Sequence, residues 1–218
     1  MQNLGTLPGG SLSGANAVSA NGAVVVGVAR NAAGQHCAFR WANGVMQDLG
    51  TLGGWRSDAN GVSANGSVVV GTGETAAGNR AFRWTASSGR MDDLGTLGGC
   101  CSGAYGVSAD GSLVVGFAIH FTGQVRAVRW TAWGIEDLNM SYANLLTNRS
   151  ELFVATAISP NGRYIVGEGY NAATRRNEAF LLDTGTGRPR CNGDVNGDGR
   201  VDDADLLEVL FNFGNQCP

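Results

Sequence analysis

One block structure recurs through most of the chain. DLGTLGG at 48–54 returns as NLGTLPGG at 3–10, as DLGTLGG at 93–99 and in degenerate form as DLNMS at 137–141. VSANGSVVVG at 62–71 returns as VSANGAVVVG at 18–27, VSADGSLVVG at 107–116 and ISPNGRYIVG at 158–167. AFRW at 81–84 returns as AFRW at 38–41, AVRW at 127–130 and AFLL at 179–182. The spacing gives four copies at a period of about 45 residues, the length of a propeller blade or a similar stacked unit. Such a unit cannot bury its apolar face alone, so the copies must stack on one another.

Within a copy the pattern is that of strands. In AFRW the Phe and Trp, Phe39 with Trp41 and Phe82 with Trp84, are two apart and share a face, while Arg40 or Arg83 takes the other. VVVG is a short β-branched run preceded by Asn-Gly or Asp-Gly, which tolerates the positive φ of a tight hairpin turn. A second hairpin follows from AFRW through a Gly-containing turn to MQDL or MDDL. The expectation is an all-β, four-repeat propeller over 1–187, with four strands per repeat and repeats at about 1–44, 45–89, 90–134 and 135–187. The phase matters too. MQNL at 1–4 reads as the fourth strand of a unit, and the last unit stops at its third strand, 179–182. The first segment is therefore expected to complete either the last blade of its own chain or a blade of a neighbouring chain.

Glycine makes up 35 of 218 residues, but at fixed repeat positions, so it marks turns and close packing rather than low complexity. The 43% hydrophobic content supports a sizeable core. A net charge of −3 with 15% charged residues gives no basic patch for nucleic acid, and no apolar run reaches the length of a membrane span. No basic and apolar leader precedes the first repeat, yet Met1 has the register of Met46 and Met91 and reads as a repeat residue; the chain is expected to be a mature or truncated form.

DLGTLGG, the Asn-Gly hairpins, AFRW and the His36-Cys37-Ala38-Phe39 run together resemble the HAF-repeat family of predicted extracellular proteins, over about residues 1–183. The second and third copies have Arg80 and Arg126 where the naming His would stand. The resemblance implies a propeller-like secreted or surface protein. The Arg of each AFRW (Arg40, Arg83, Arg129) is expected to pair across strands with the acid of the next one (Asp48, Asp93, Asp137). The fourth copy carries an insertion after Asp137, in which Leu145, Leu146 and Leu152 are expected to cap the array. Asn139 and Asn148 there, with Asn65 in the second copy, match the N-glycosylation acceptor pattern.

The C-terminal unit, 188–218, carries the most specific chemical signal. Asp194, Asn196 and Asp198 fall at positions 1, 3 and 5 of an EF-hand-like loop, and Gly199 falls at its sharp turn. Arg200 offers its carbonyl at position 7, Asp202 stands at position 9 and Asp205 at position 12. Hard oxygen donors in this order suit Ca²⁺, with Asp205 in place of the usual bidentate Glu. An amphipathic helix is expected from about 203 to 213, stopped by Gly214. Cys191 and Cys217 bracket this small unit and are expected to form a disulfide. Cys37 either pairs with Cys100 or Cys101 or is a small buried residue beside Phe39, and a vicinal Cys100–Cys101 ring is the further alternative. The loop followed by a helix resembles one dockerin type I repeat; a dockerin normally carries two and binds a cohesin partner.

His36 and His120 lie in unrelated repeats, with no Gly-x-Ser-x-Gly elbow and no metal-binding His pair, so a catalytic role is not expected. Two readings remain. One is a self-assembling extracellular structural protein joined through the spare N-terminal strand and the calcium-stabilised tail. The other is a monomeric propeller module for a glycan or protein ligand, with the tail as adaptor to a surface partner.

Overall fold

In the computed structural model of the chain, the described residues are 1–146 and 149–185. They form four antiparallel sheets in chain order. Sheet I holds β1 (Ser13–Val18), β2 (Val24–Arg30), β3 (His36–Ala42) and β4 (Val45–Asp48); sheet II holds β5 (Ser57–Val62), β6 (Val68–Thr75), β7 (Gly78–Thr85) and β8 (Met91–Asp93). Sheet III holds β9 (Gly98–Val107), β10 (Val114–His120), β11 (Val125–Thr131) and β12 (Gly134–Asp137). A short helix α1 (Leu138–Ser141) and a 3-10 turn (Ala143–Leu145) lead into sheet IV, which has only β13 (Glu151–Ile158), β14 (Tyr164–Asn171) and β15 (Arg176–Asp183).

The repeated Ser-x-Asn-Gly turn explains why the first hairpin recurs. In sheet II, Asn65 Oδ1 accepts from Ser63 Oγ and from the Ser67 amide, and Ser63 Oγ accepts from Val68 N. Gly66 supplies the positive φ of 72° that the turn requires. In sheets I, II and IV the third strand lays an aromatic residue over a glycine of the second, Phe39 opposite Gly27, Phe82 opposite Gly71 and Phe180 opposite Gly167, and in sheet III Val128 takes that place opposite Gly116.

The sheets stack face to face. Val24, Val26 and Ala38 of sheet I pack with Val69, Phe82 and Trp84 of sheet II. Val68, Val70 and Ala81 of sheet II pack with Val114, Val128 and Trp130 of sheet III. Val115 and Ala127 of sheet III pack with Ile165 and Leu182 of sheet IV. Each sheet thus has a forward face, carrying the Ala of AFRW, and a rear face, carrying its aromatics. Burying one large apolar side chain in these layers stabilises the fold by about 1.5–3 kcal/mol. The linkers contribute as well, since Leu49 lies beside Ala38 and Leu138 beside Ala127. Of the insertion leucines, Leu152 is buried and Leu146 partly so, while Leu145 is exposed.

Two expectations are corrected. Residues 1–4 are not a strand: sheet I begins at Ser13, and the preceding segment lies on the sheet's rear face, with Leu7 buried against Ala29, Cys37 and Phe39. The repeated Arg does not oppose the repeated Asp. Register places Phe39, Phe82 and Val128 opposite Asp48, Asp93 and Asp137, and leaves Arg40 opposite Gln47, Arg83 opposite Asp92 and Arg129 opposite Glu136. The Asp instead closes the linker turn, with Asp48 Oδ1 accepting from Gly50 N at 2.8 Å and Asp93 Oδ1 from Gly95 N at 2.8 Å. A side chain of this length satisfies the amide two residues on more readily than it reaches across the ladder.

Candidate functional site

Each innermost strand carries a bulge at the same repeat position, at Asn16, Asn60, Tyr105 and Thr156, and β9 and β13 each carry a second register shift further along. A bulge leaves its extra residue out of the ladder and re-aims the side chain. These four residues and Val154 line one cavity of about 370 Å³, so strands from all four sheets meet around a common axis. Asn16 Nδ2 donates to Ala59 O and Asn60 Nδ2 to Ala104 O, both at 2.9 Å, which ties each innermost strand to the next. Tyr105 leaves that pattern and stacks on Phe117, with ring centres 6.0 Å apart. The cavity offers amide, phenol and hydroxyl groups but no carboxylate or imidazole. It can hold a polar ligand by hydrogen bonds and has no general base in its lining.

The ends of the stack differ from its interior. Val26, Val70 and Val115 on the forward faces of sheets I to III are each 0% exposed; Val166, at the same register position of sheet IV, is 39% exposed. Ala38, Ala81 and Ala127 are fully buried, whereas Ala179 is exposed and Leu181 is 68% exposed. At the other end Val18, on the rear face of sheet I, is 57% exposed. Among the described residues, no strand pairs with the outer edge of β15.

The calcium ligands expected from sequence, Asp194, Asn196, Asp198, Arg200, Asp202 and Asp205, lie outside the described residues, as do Cys191, Cys217 and the acceptor Asn148. Among the described residues no group of three or more His, Cys, Asp or Glu side chains is placed to hold a metal. Asn65 serves its hairpin turn. Asn139 Nδ2 donates to Asp137 Oδ1 and Leu152 O, and its Oδ1 accepts from Leu152 N at 2.7 Å, so its amide anchors the insertion to β13. Nothing local in the sequence points to Leu152 as its partner.

Cys37 is a buried free thiol beside Phe39, and burial pushes its pKa up to about 11. Cys100 and Cys101 are free, with their sulfur atoms 2.7 Å apart, and the hydrogen bond between them raises the Cys100 pKa. Arg129 is buried and bonds Glu136 through Nε at 2.9 Å and Nη2 at 2.6 Å. Arg40 instead crosses to sheet II, donating to Gly66 O at 3.0 Å with its guanidinium 5.9 Å from the Trp84 ring centre. Arg129 therefore acts within its sheet and Arg40 between two sheets.

No family model matches this sequence, and no curated protein does. Solved structures do resemble the fold. A putative TolB from Agrobacterium tumefaciens aligns with a TM-score of 0.57 and 17% identity over 78% of this chain and 61% of its own. TolB from Acinetobacter baumannii aligns with a TM-score of 0.56 and 12% identity over 78% of this chain and 40% of its own. A structure from a study of two prolyl endopeptidases aligns with a TM-score of 0.50 and 14% identity, covering 88% of this chain and 29% of its own. The chain spans less than two thirds of the length of each. At these identities the likeness concerns the fold alone, and with the stacked antiparallel sheets it shows an all-β, propeller-like architecture.

Proposed function

We propose that this is a non-catalytic extracellular structural protein of the HAF-repeat type, whose copies join through the N-terminal repeat segment and a calcium-stabilised C-terminal tail. The observation that carries this reading is the outer edge of β15, with which no strand pairs among the described residues, in a sheet of three strands where the preceding sheets have four. Residues 1–5 hold the matching piece. Asn3 Oδ1 accepts from Gly5 N at 3.0 Å and Ser13 Oγ donates to Gly5 O at 2.7 Å, as Asp48, Gly50 and Ser57 do in the linker between sheets I and II. The segment is thus shaped like a linker that follows an outer strand. An unpaired edge together with a segment shaped to follow an outer strand favours pairing between chains. In the tail, the oxygen donors from Asp194 to Asp205 would hold Ca²⁺, which supplies the charge compensation that lets so many carboxylates converge. Light scattering and negative-stain imaging with Ca²⁺ and after chelation test the proposal: assemblies that disperse on chelation support it, and a monomer in both conditions contradicts it.

The axial cavity favours a second reading, a monomeric module for a glycan or protein ligand. Its amide, phenol and hydroxyl lining is the type of surface that binds hydroxyl-rich ligands. Glycan-array binding by a monomeric chain, lost in Asn60→Ala with Tyr105→Ala, would favour it over assembly.

A further inference from the structure

The two exposed ends of the stack are the two halves of an interface that the chain already forms three times within itself. We infer that the forward face of sheet IV docks on the rear face of sheet I of a second copy; this rests on the self-assembly reading above and adds a face-to-face sheet contact to it.

The internal steps define what such a joint contains. At each, the glycine of the later sheet's hairpin turn lies on an apolar side chain of the earlier sheet: Gly66 on Val24, Gly111 on Val68 and Gly162 on Leu113, so closely that a Cβ would overlap it. The fourth such glycine, Gly22, has nothing within 4 Å of that position, and Tyr164, the register equivalent of Val24, is exposed. Backbone bonds recur as well. Ala38 N donates to Ser57 Oγ and accepts at its carbonyl from Leu49 N; Ala81 does the same with Ser102 and Leu94. Ser13 and Leu4 are the unused members of that series, and exposed Ala179 is their unused partner. Finally, Arg40 of sheet I covers Trp84 of sheet II, and the equivalents at the joint are Leu181 and Trp41.

Register therefore assigns the contacts: Tyr164 onto Gly22, Leu181 onto Trp41, and the Ala179 backbone to Ser13 and Leu4. The occupant is a second copy because, within one chain, the segment holding Leu4 and Leu7 already lies on its own sheet I and buries most of that face, Trp41 included, while Val18 there and Tyr164, Val166 and Leu181 on the forward face of sheet IV remain exposed. The joint lacks one bond of the internal steps. Ala20 N donates to Ala64 O, Ala64 N to Ala109 O and Ala109 N to Pro160 O, and there the series ends, because proline has no N–H to pass on. The contact between copies is accordingly weaker than the steps within one, and being heterologous it closes a ring or propagates as a fibre.

Complementary blocking tests this. Leu181→Glu blocks only the forward end and Val18→Glu only the rear end, and both side chains are exposed, so folding is preserved and checked by circular dichroism. Wild-type chain should assemble, each variant alone should be monomeric, and an equimolar mixture should give a dimer of twice 22.5 kDa through the single intact pair of faces. Leu181→Arg restores the residue found in sheets I to III and should retain assembly, where Leu181→Glu weakens it at least about tenfold. Assembly by each blocked variant alone would overturn this joint while leaving self-assembly standing. A monomeric wild-type chain would overturn both, and monomers that stay apart on mixing would overturn the paired-face geometry.

Discussion

Single side chains carry duties that their sequence neighbourhood only partly reveals. Asp110 occupies the turn position held by Asn21, Asn65 and Asn161 in the other sheets, and hydrogen bonds from the Ser108 hydroxyl, the Ser112 amide and the Ser112 hydroxyl lower its pKa to about 2. Its folded pKa lies below the unfolded value of about 3.9, so its contribution is full above pH 4 and is lost as pH falls towards 2. Asp110→Asn should remove that part of the acid dependence, read as a flatter plot of thermal midpoint against pH; an unchanged plot would show that the turn does not depend on the charge. Gly71 presents a second case. A Cβ there would collide with Asp58 O and the Phe82 ring, whereas Gly14 has nothing within 4 Å. Gly71→Ala should cost about 1–3 kcal/mol or more in denaturant melts, and Gly14→Ala far less. Asn139→Ala strands the Leu152 amide and should cost about 1–3 kcal/mol by the same measurement.

At the level of strands and turns, the repeat was highly legible. A VSANG turn, a VVVG strand and an AFRW strand each fall where period and turn chemistry put them, because glycine position and alternation are local signals. Pairing was less so. The sequence shows that an Arg precedes an Asp by eight or ten residues in three repeats, but one residue of register decides whether they meet, and here the Asp is drawn to its own linker turn. The bulges at Asn16, Asn60, Tyr105 and Thr156 were also hidden, since a bulge appears in sequence only as one more residue in a strand. They set the axial lining, so the candidate cavity could not be read in advance. The inter-sheet backbone series, by contrast, makes Pro160 a testable stop: Pro160→Ala supplies the missing donor and should tighten the joint between copies, seen as a lower concentration for assembly by light scattering. No change would mean that Ala20 O is not at the joint.

For the molecule as a whole, the four sheets form a stack whose interior steps are saturated and whose ends are not. Repeat stacking makes this outcome general: every unit presents a forward and a rear face, and the terminal units need a cap or a neighbour. Leu181 and Val166 at one end and Val18 at the other are not the polar surface of a capped repeat. Exposed apolar residues contiguous on one face mark interaction sites more often than scattered ones do. The most direct measurement is the solution mass of the wild-type chain by multi-angle light scattering across a concentration series in Ca²⁺. Self-assembly predicts mass rising in multiples of 22.5 kDa, and a constant 22.5 kDa at every concentration would contradict it.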